Sequence, residues 1–342
     1  MKILYGIQGT GNGHLSRAMT MHPYLSDYAD VDYCISGINH QLPFDLPIIR
    51  KFKGLNLFYS KTGGLDYWRM MKAFQAGKFF HEIQDVPVKK YDLVISDFEP
   101  MSAWAARLKG VPCIHLGHQA SFQYPEVPLG KEKDKLGKYI LKNFVRAERH
   151  IGFHFQAYKT QILPPILSAL IFDANPSNAN HCTVYLPQMS LAQIVHWCIQ
   201  SPSIKFHVFS NEIQEYTSLR NVEIHRISKE TFHDSMINSE LVMTSGGFET
   251  PAEAIYLKKK LLVIPIKNHY EQQANGEALR LMGVPVFNNL NEISSSILQE
   301  YYFGDKTIYS NYFMSTDKII RSIFERIDGH LELPAFADKM VK

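Results

Sequence analysis

The feature that most constrains the fold is a strand–helix alternation that runs once, breaks and starts again. Lys2–Ile7 (KILYGI), Val31–Ser36, Asp92–Ser96 (DLVIS) and Val111–Leu116 (VPCIHL) are short and mostly apolar. Helical stretches lie among them at His14–Tyr24 and from about Pro100 to Lys109, where proline suits a first turn. Strands buried on both faces read as such runs, and helices between them imply a parallel sheet covered on both sides. Between about Ile162 and His181, the Pro164-Pro165 pair and the Asn175–Asn180 run are turn chemistry. The alternation then resumes with strands at Thr183–Leu186, Ile204–Phe209, Val222–His225, Leu241–Thr244 and Leu261–Ile264. Helices are expected at Ser190–Ile199, Glu249–Leu257 and Glu271–Met282. The reading is α/β: two Rossmann-like domains with parallel sheets facing across a cleft, 1–165 and 166–314. Ile319, Ile320, Ile323, Phe324 and Ile327 mark one face of a last helix, about 315–330, expected to pack back on the first domain.

Composition excludes several function classes. The 342 residues carry a net charge of +3, too weak a balance to argue for nucleic acid. Cys34, Cys113, Cys182 and Cys198 are dispersed without a CxxC pair, which fits a reduced, cytoplasmic chain. No signal peptide is visible, and no apolar run reaches the ~18 residues of a spanning helix. A peripheral position on the inner membrane face stays compatible.

In open parallel sheets, ligands bind beyond the carboxyl ends of the strands. Five segments with chemistry fall there. Ser245-Gly246-Gly247 follows the strand LVMT and opens a helix carrying Glu249 and Glu253. Adjacent glycines permit a tight turn, and a helix N-terminus behind them attracts phosphate. Such a turn can also serve the fold alone. Glu271-Gln272-Gln273 opens the next helix, with side chains suited to sugar hydroxyls. Gly9-Thr10-Gly11-Asn12-Gly13-His14 follows the first strand. A dinucleotide fingerprint would require glycine at position 14, where His14 stands. Asp97, ending DLVIS, shares an edge with that loop; Glu99 is close behind, and His118-Gln119 follows the fourth strand.

The run SGGFETPAEAIYLKKKLLVIPIKNHYEQQANGEAL resembles the donor-binding signature of GT-B glycosyltransferases, closest to the group of the lipid II N-acetylglucosaminyltransferase and the UDP-glycosyltransferases. It departs from them in placing Phe248-Glu249 before Thr250. The resemblance implies that Gly246, Gly247 and Phe248 lie at the pyrophosphate and that Glu253 binds the ribose. It also implies that Gln272, with Glu271 or Gln273, binds the donor sugar; Ser245 and Glu249 complete that wall. His14 would be the general base, since imidazole titrates near neutrality. Asp97 would hold its tautomer, with Glu99 a second candidate for base or acceptor ligand. Gly11, Asn12, Gly13, His118 and Gln119 would line the acceptor side.

The expected activity is therefore inverting, metal-independent transfer from a nucleotide sugar, with UDP-sugar favoured, to an acceptor hydroxyl. No cofactor is expected. Metal readings are weak: Asp30-Val31-Asp32 sits at a strand start, Asp97-Phe98-Glu99 is a chance-level pair, and the His150/His154 spacing falls on a strand or loop rather than a helix. The basic, aromatic stretch Lys51–Phe80 and the loop Ser121–Lys138 are candidate acceptor borders, the first for a lipid-linked acceptor. Two rivals keep the fold: a UDP-sugar 2-epimerase and a non-catalytic nucleotide-sugar-binding protein.

Overall fold

The computed structural model describes residues 1–9, 13–37, 46–53, 68, 69, 72, 75–130, 135–308 and 310–327. The first half forms β1 (Lys2–Gln8), α1 (Gly13–Leu25), β2 (Asp30–Ser36), β3 (Ile48–Phe52), α2 (Ala76–Asp85), β4 (Leu93–Asp97), α3 (Pro100–Lys109), β5 (Cys113–Gly117), α4 (Lys135–Asn143), β6 (Arg149–Phe153) and β7 (Ile162–Leu163). These strands make one seven-stranded sheet in the order β3-β2-β1-β4-β5-β6-β7, parallel throughout.

After a short α5 (Ala169–Phe172), a second sheet is built from β8 (His181–Tyr185), β9 (Lys205–Ser210), β10 (Thr217–Leu219), β11 (Val222–Arg226), β12 (Leu241–Thr244) and β13 (Lys260–Val263). Its helices are α6 (Leu191–Cys198), α7 (Lys229–Asn238), α8 (Glu249–Tyr256), α9 (Tyr270–Leu281) and α10 (Ser295–Phe303). The strand order is β10-β11-β9-β8-β12-β13, parallel except at the edge pair β10–β11.

Both sheets reverse direction of growth beside their first strand, between β1 and β4 and between β8 and β12. This is the topological switch point where a crevice must open, because successive crossover helices leave it on opposite faces. On the inner strands beside it, Ile3, Leu4, Tyr5 and Ile7 of β1 and Leu241, Val242 and Met243 of β12 have no solvent exposure.

The last helix, α11 (Thr316–Ile327), buries Ile319, Ile320 and Ile323 completely. Tyr28, just after α1, stacks on Phe324 at 4.5 Å, and Arg149 of β6 donates to the Ile327 carbonyl at 3.1 Å. Helix α11 thus packs against the first half. One continuous apolar core contains residues of both halves, including Phe153 and Phe155 from the first and Phe248, Ala252 and Val263 from the second. None of the described helices is long and apolar enough to cross a membrane.

Candidate active site

The crevice of the first sheet is built around Asp97. It is the final residue of β4, paired in register with Ile7 of β1, so its side chain emerges at the switch point. His14, in the first turn of α1, brings Nδ1 to 2.8 Å from Asp97 Oδ1. Arg17 lies one turn further on the same helical face. It donates from Nε to Oδ2 at 3.0 Å and from Nη2 to Oδ1 at 2.8 Å, a two-pronged clamp.

Burial of Asp97 works against its charge, but Arg17 and then His14 outweigh it and hold the carboxyl below the usual carboxylate range. An ionised Asp97 accepts Nδ1–H, which leaves the His14 lone pair on Nε2. In that tautomer the 2.9 Å approach of Arg17 Nη2 to Nδ1 is a contact and not a second hydrogen bond, since Nδ1 has no lone pair left. The His14 side chain retains 12% exposure, whereas that of Asp97 has none.

Backbone geometry sharpens this arrangement. Phe98 has φ 53°, an outlier for a bulky residue, and it turns the chain so that Asp97 and Glu99 point apart. The Phe98 ring is buried against Phe144 and His115. Gly117, at the end of β5, passes so close to the carboxylate that a Cβ there would lie 2.6 Å from Asp97 Oδ1.

Glu99 does a different job from the one expected of it. It is fully buried and caps α3: its carboxylate accepts from the backbone N–H groups of Met101 at 2.6 Å and Ser102 at 2.7 Å, and also from the Ser36 hydroxyl. Burial raises its pKa, and the hydrogen bonds partly offset that rise. The expectation of Glu99 as base or acceptor ligand is corrected on this ground, because no oxygen of it faces the crevice.

The opposing wall is the turn Ser245-Gly246-Gly247 between β12 and α8. Gly246 is held at both ends by α9. Gln272 Oε1 accepts from Gly246 N and Ile266 N, each at 3.0 Å, and Asn275 Nδ2 donates to the Gly246 carbonyl at 3.0 Å. A Cβ on Gly246 would meet the Gln272 carbonyl oxygen at 2.6 Å, so the close approach requires glycine. At Gly247 a Cβ would meet nothing within 4 Å, and that side of the turn is open. Helix α8 begins at Phe248 without a side-chain cap, leaving its first N–H groups available to an anion.

The other expected donor residues separate into two groups. Glu249 reaches back across the crevice and accepts from Arg17 Nη1 at 2.6 Å. Its carboxylate lies close to α1, where a Cβ on Gly13 would be 3.1 Å from Oε2. Glu253 lies 3.5 Å from His233 Nε2 on α7 and is 13% exposed. Gln272 spends its carbonyl oxygen on the turn, and Gln273 Nε2 donates to the Ile266 carbonyl at 3.2 Å. Glu271 accepts from Gln119 at 3.3 Å.

His118 and Phe248 are not cleft-lining groups. Their rings stack at 3.9 Å and both are buried, with His118 Nε2 2.7 Å from Asn275 Oδ1 and Nδ1 2.9 Å from the Phe153 carbonyl. This corrects the acceptor-side expectation for His118 and leaves only the backbone of Phe248 for a phosphate. Gly11 and Asn12 lie outside the described residues. Arg17 and Asn275 were not among the expected site residues. The i, i+3 spacing of Arg17 from His14 was the available signal for the first, and the small-residue end of the QQANG run for the second.

The family model described as "Glycosyl transferase family 1" matches residues 1–303. The chain belongs to this family. No curated protein matches it. Among solved structures, the family 1 glycosyltransferase is similar to the kitacinnamycin glycotransferase, with TM-score 0.57 and 13% identity over 88% of this chain and 89% of that one. It is also similar to the SsfS6 glycosyltransferase of a Streptomyces, complexed with thymidine diphosphate, with TM-score 0.57 and 12% identity over 95% and 99%. Acinetobacter baumannii MurG gives TM-score 0.52 and 12% identity over 88% and 90%. These likenesses establish the GT-B fold.

Proposed function

We propose that this glycosyltransferase moves a sugar from a nucleoside diphosphate sugar to an acceptor hydroxyl with inversion, using His14 as general base. The observation that carries the reading is the His14–Asp97–Arg17 cluster at one switch point, tied through Glu249 to the start of α8 at the other. The acceptor O–H gives its proton to His14 Nε2 as its oxygen attacks the anomeric carbon. The bond from that carbon to the diphosphate oxygen breaks on the opposite face. Charge developing on the leaving diphosphate meets the open N-terminus of α8 and Gly247, so no step requires a cation. Glu253, near the C-terminal half of α8, is the ribose ligand in this reading. Residues 1–165 with the last helix form the acceptor side, and 166–314 the donor side. The bound thymidine diphosphate of SsfS6 supports a nucleoside diphosphate donor. The signature resemblance favours UDP, and the basic, aromatic stretch Lys51–Phe80 suits a lipid-linked acceptor with peripheral membrane contact; of that stretch, Trp68 and Phe80 are described, 72% and 53% exposed.

Calorimetric titration with uridine and thymidine diphosphates, followed by transfer assays with the better nucleotide's sugars, tests this directly. His14→Ala should lower transfer by about 10²–10⁴-fold, the usual weight of a general base, while nucleotide affinity stays within about twofold. Undiminished transfer removes His14 as base, and acceptor-independent isomerisation of the donor sugar replaces transfer by epimerisation.

A further inference from the structure

The second sheet carries a histidine cluster that sugar transfer does not use. His207 of β9 and Glu223 of β11 are register partners, and His225 stands two residues beyond Glu223, so all three side chains leave the same face. His207 Nε2 and His225 Nε2 lie 3.6 and 3.7 Å from Glu223 Oε2. One ligand atom from each residue lies within 4.8 Å of the other two, the one such grouping among the described residues. Ligands bound at about 2.0–2.2 Å by a tetrahedral zinc are separated by about 3.4 Å, so small side-chain adjustments bring these three to one ion.

The surroundings are those of a ligand set. Ser235 Oγ on α7 is 3.2 Å from His207 Nδ1 and 2.7 Å from Thr183 Oγ1. With Nδ1–H donated to Ser235, the Nε2 lone pair of His207 faces Glu223. An outer hydrogen bond of this kind fixes a metal-binding histidine. His181 stacks on His207 at 3.8 Å and anchors its own Nε2 on the Ser235 carbonyl at 2.9 Å, which holds the ring plane. His225 Nε2 is a buried nitrogen without a hydrogen-bond partner. His181, His207, Glu223, His225 and Ser235 line a cleft of about 580 Å³ under α7, and the Glu223 side chain is 43% exposed at its mouth.

We propose that His207, Glu223 and His225 bind one divalent transition-metal ion, zinc by preference, with its remaining position open to solvent. Two imidazoles and one carboxylate select zinc over calcium or magnesium, which favour all-oxygen shells. The ion would fasten β9 to β11 and, through Ser235, to α7. It lies on the donor-side sheet, apart from the His14–Asp97 edge, and the inference is independent of the mechanism proposed above.

Tag-free, chelator-stripped protein titrated with Co²⁺ alone tests it. The expected result is one equivalent bound with visible d–d absorption, displaced by Zn²⁺. His207→Ala and His225→Ala should abolish the absorption, and Ser235→Ala should weaken affinity by about tenfold or more. Glu223→Gln changes a partly exposed side chain, so its loss of binding with an unaltered far-UV spectrum excludes misfolding as the cause. Absence of the absorption in the wild-type protein, or its persistence in Glu223→Gln and His225→Ala, overturns the site.

Discussion

At the scale of single residues, the crevice depends on how Arg17 distributes its donors. Two of its nitrogens neutralise Asp97 and a third reaches Glu249 on the facing helix, while its own side chain is only 4% exposed. Arg17 makes Asp97 a firmer holder of the proposed base His14 than a lone carboxylate would be, because a buried guanidinium keeps the aspartate ionised and fixed. Asp97→Asn tests this directly. The amide can donate to Nδ1 and so places the His14 proton on Nε2, the wrong tautomer for a base. Turnover should fall by about 10³–10⁴-fold with nucleotide affinity retained. Stability should fall as well, since half of a buried ion pair is removed. The Glu249 contact keeps that loss below the about 3–5 kcal/mol typical of a stranded buried charge. Turnover within tenfold of wild type would refute the tautomer role.

At the scale of elements, the same stretch of sequence that ends β4 also starts α3, and the two carboxylates divide these tasks. Glu99 stabilises the helix start; it does not touch the crevice. Glu99→Gln keeps an acceptor for one of the capped N–H groups and loses the charge-assisted part. The variant should lose about 1–2 kcal/mol of stability, read from denaturant melts, while turnover per folded molecule is unchanged. A large drop in turnover without loss of stability would return Glu99 to the reaction. The SDFEP segment was ambiguous because a carboxylate before proline at a first helical turn is equally a cap signal. Other elements show where sequence patterns carry information. The inner strands are legible because double burial forces uninterrupted apolar runs, as in β1 and β12. The edge strands β3 and β10 lie outside that rule: IIRKF is buried only at Phe52 and TSL is exposed throughout, so neither carries a burial signature. Helix α4 falls partly within the expected loop Ser121–Lys138, because only Gly137 and Leu141 are buried on it. The closeness of His14 to Asp97 was legible, because the loop after β1 and the end of β4 share one sheet edge. The clamp of Gln272 and Asn275 on Gly246 was not, since it depends on how α9 lies against the turn.

At the scale of the whole molecule, the two sheets are joined by a seam of aromatic and imidazole rings. His118, His154, Phe155 and Phe248 pack together there, and His115 is buried beneath Phe98 nearby. Burial pushes His115 down to about 3 and also lowers His118 and His154, so the folded protein refuses protons that the unfolded chain accepts near pH 6.5. Stability therefore rises with pH between the folded and unfolded values and is flat above the latter. Each such imidazole steepens the dependence by up to about 1.4 kcal/mol per pH unit. Asp97 does not contribute in that window, because its stabilisation is lost only below the ordinary carboxylate range. The melting temperature should hold steady from pH 8 to 7 and fall steeply from pH 6.5 to 5. His115 isolates the cause, since both its ring nitrogens lack hydrogen-bond partners and it is fully buried. His115→Leu removes a titrating group without breaking a hydrogen bond. The variant should melt higher than wild type at pH 5.5, and its pH slope should be smaller by up to one proton. Equal slopes in the two proteins would show that the acid sensitivity arises elsewhere.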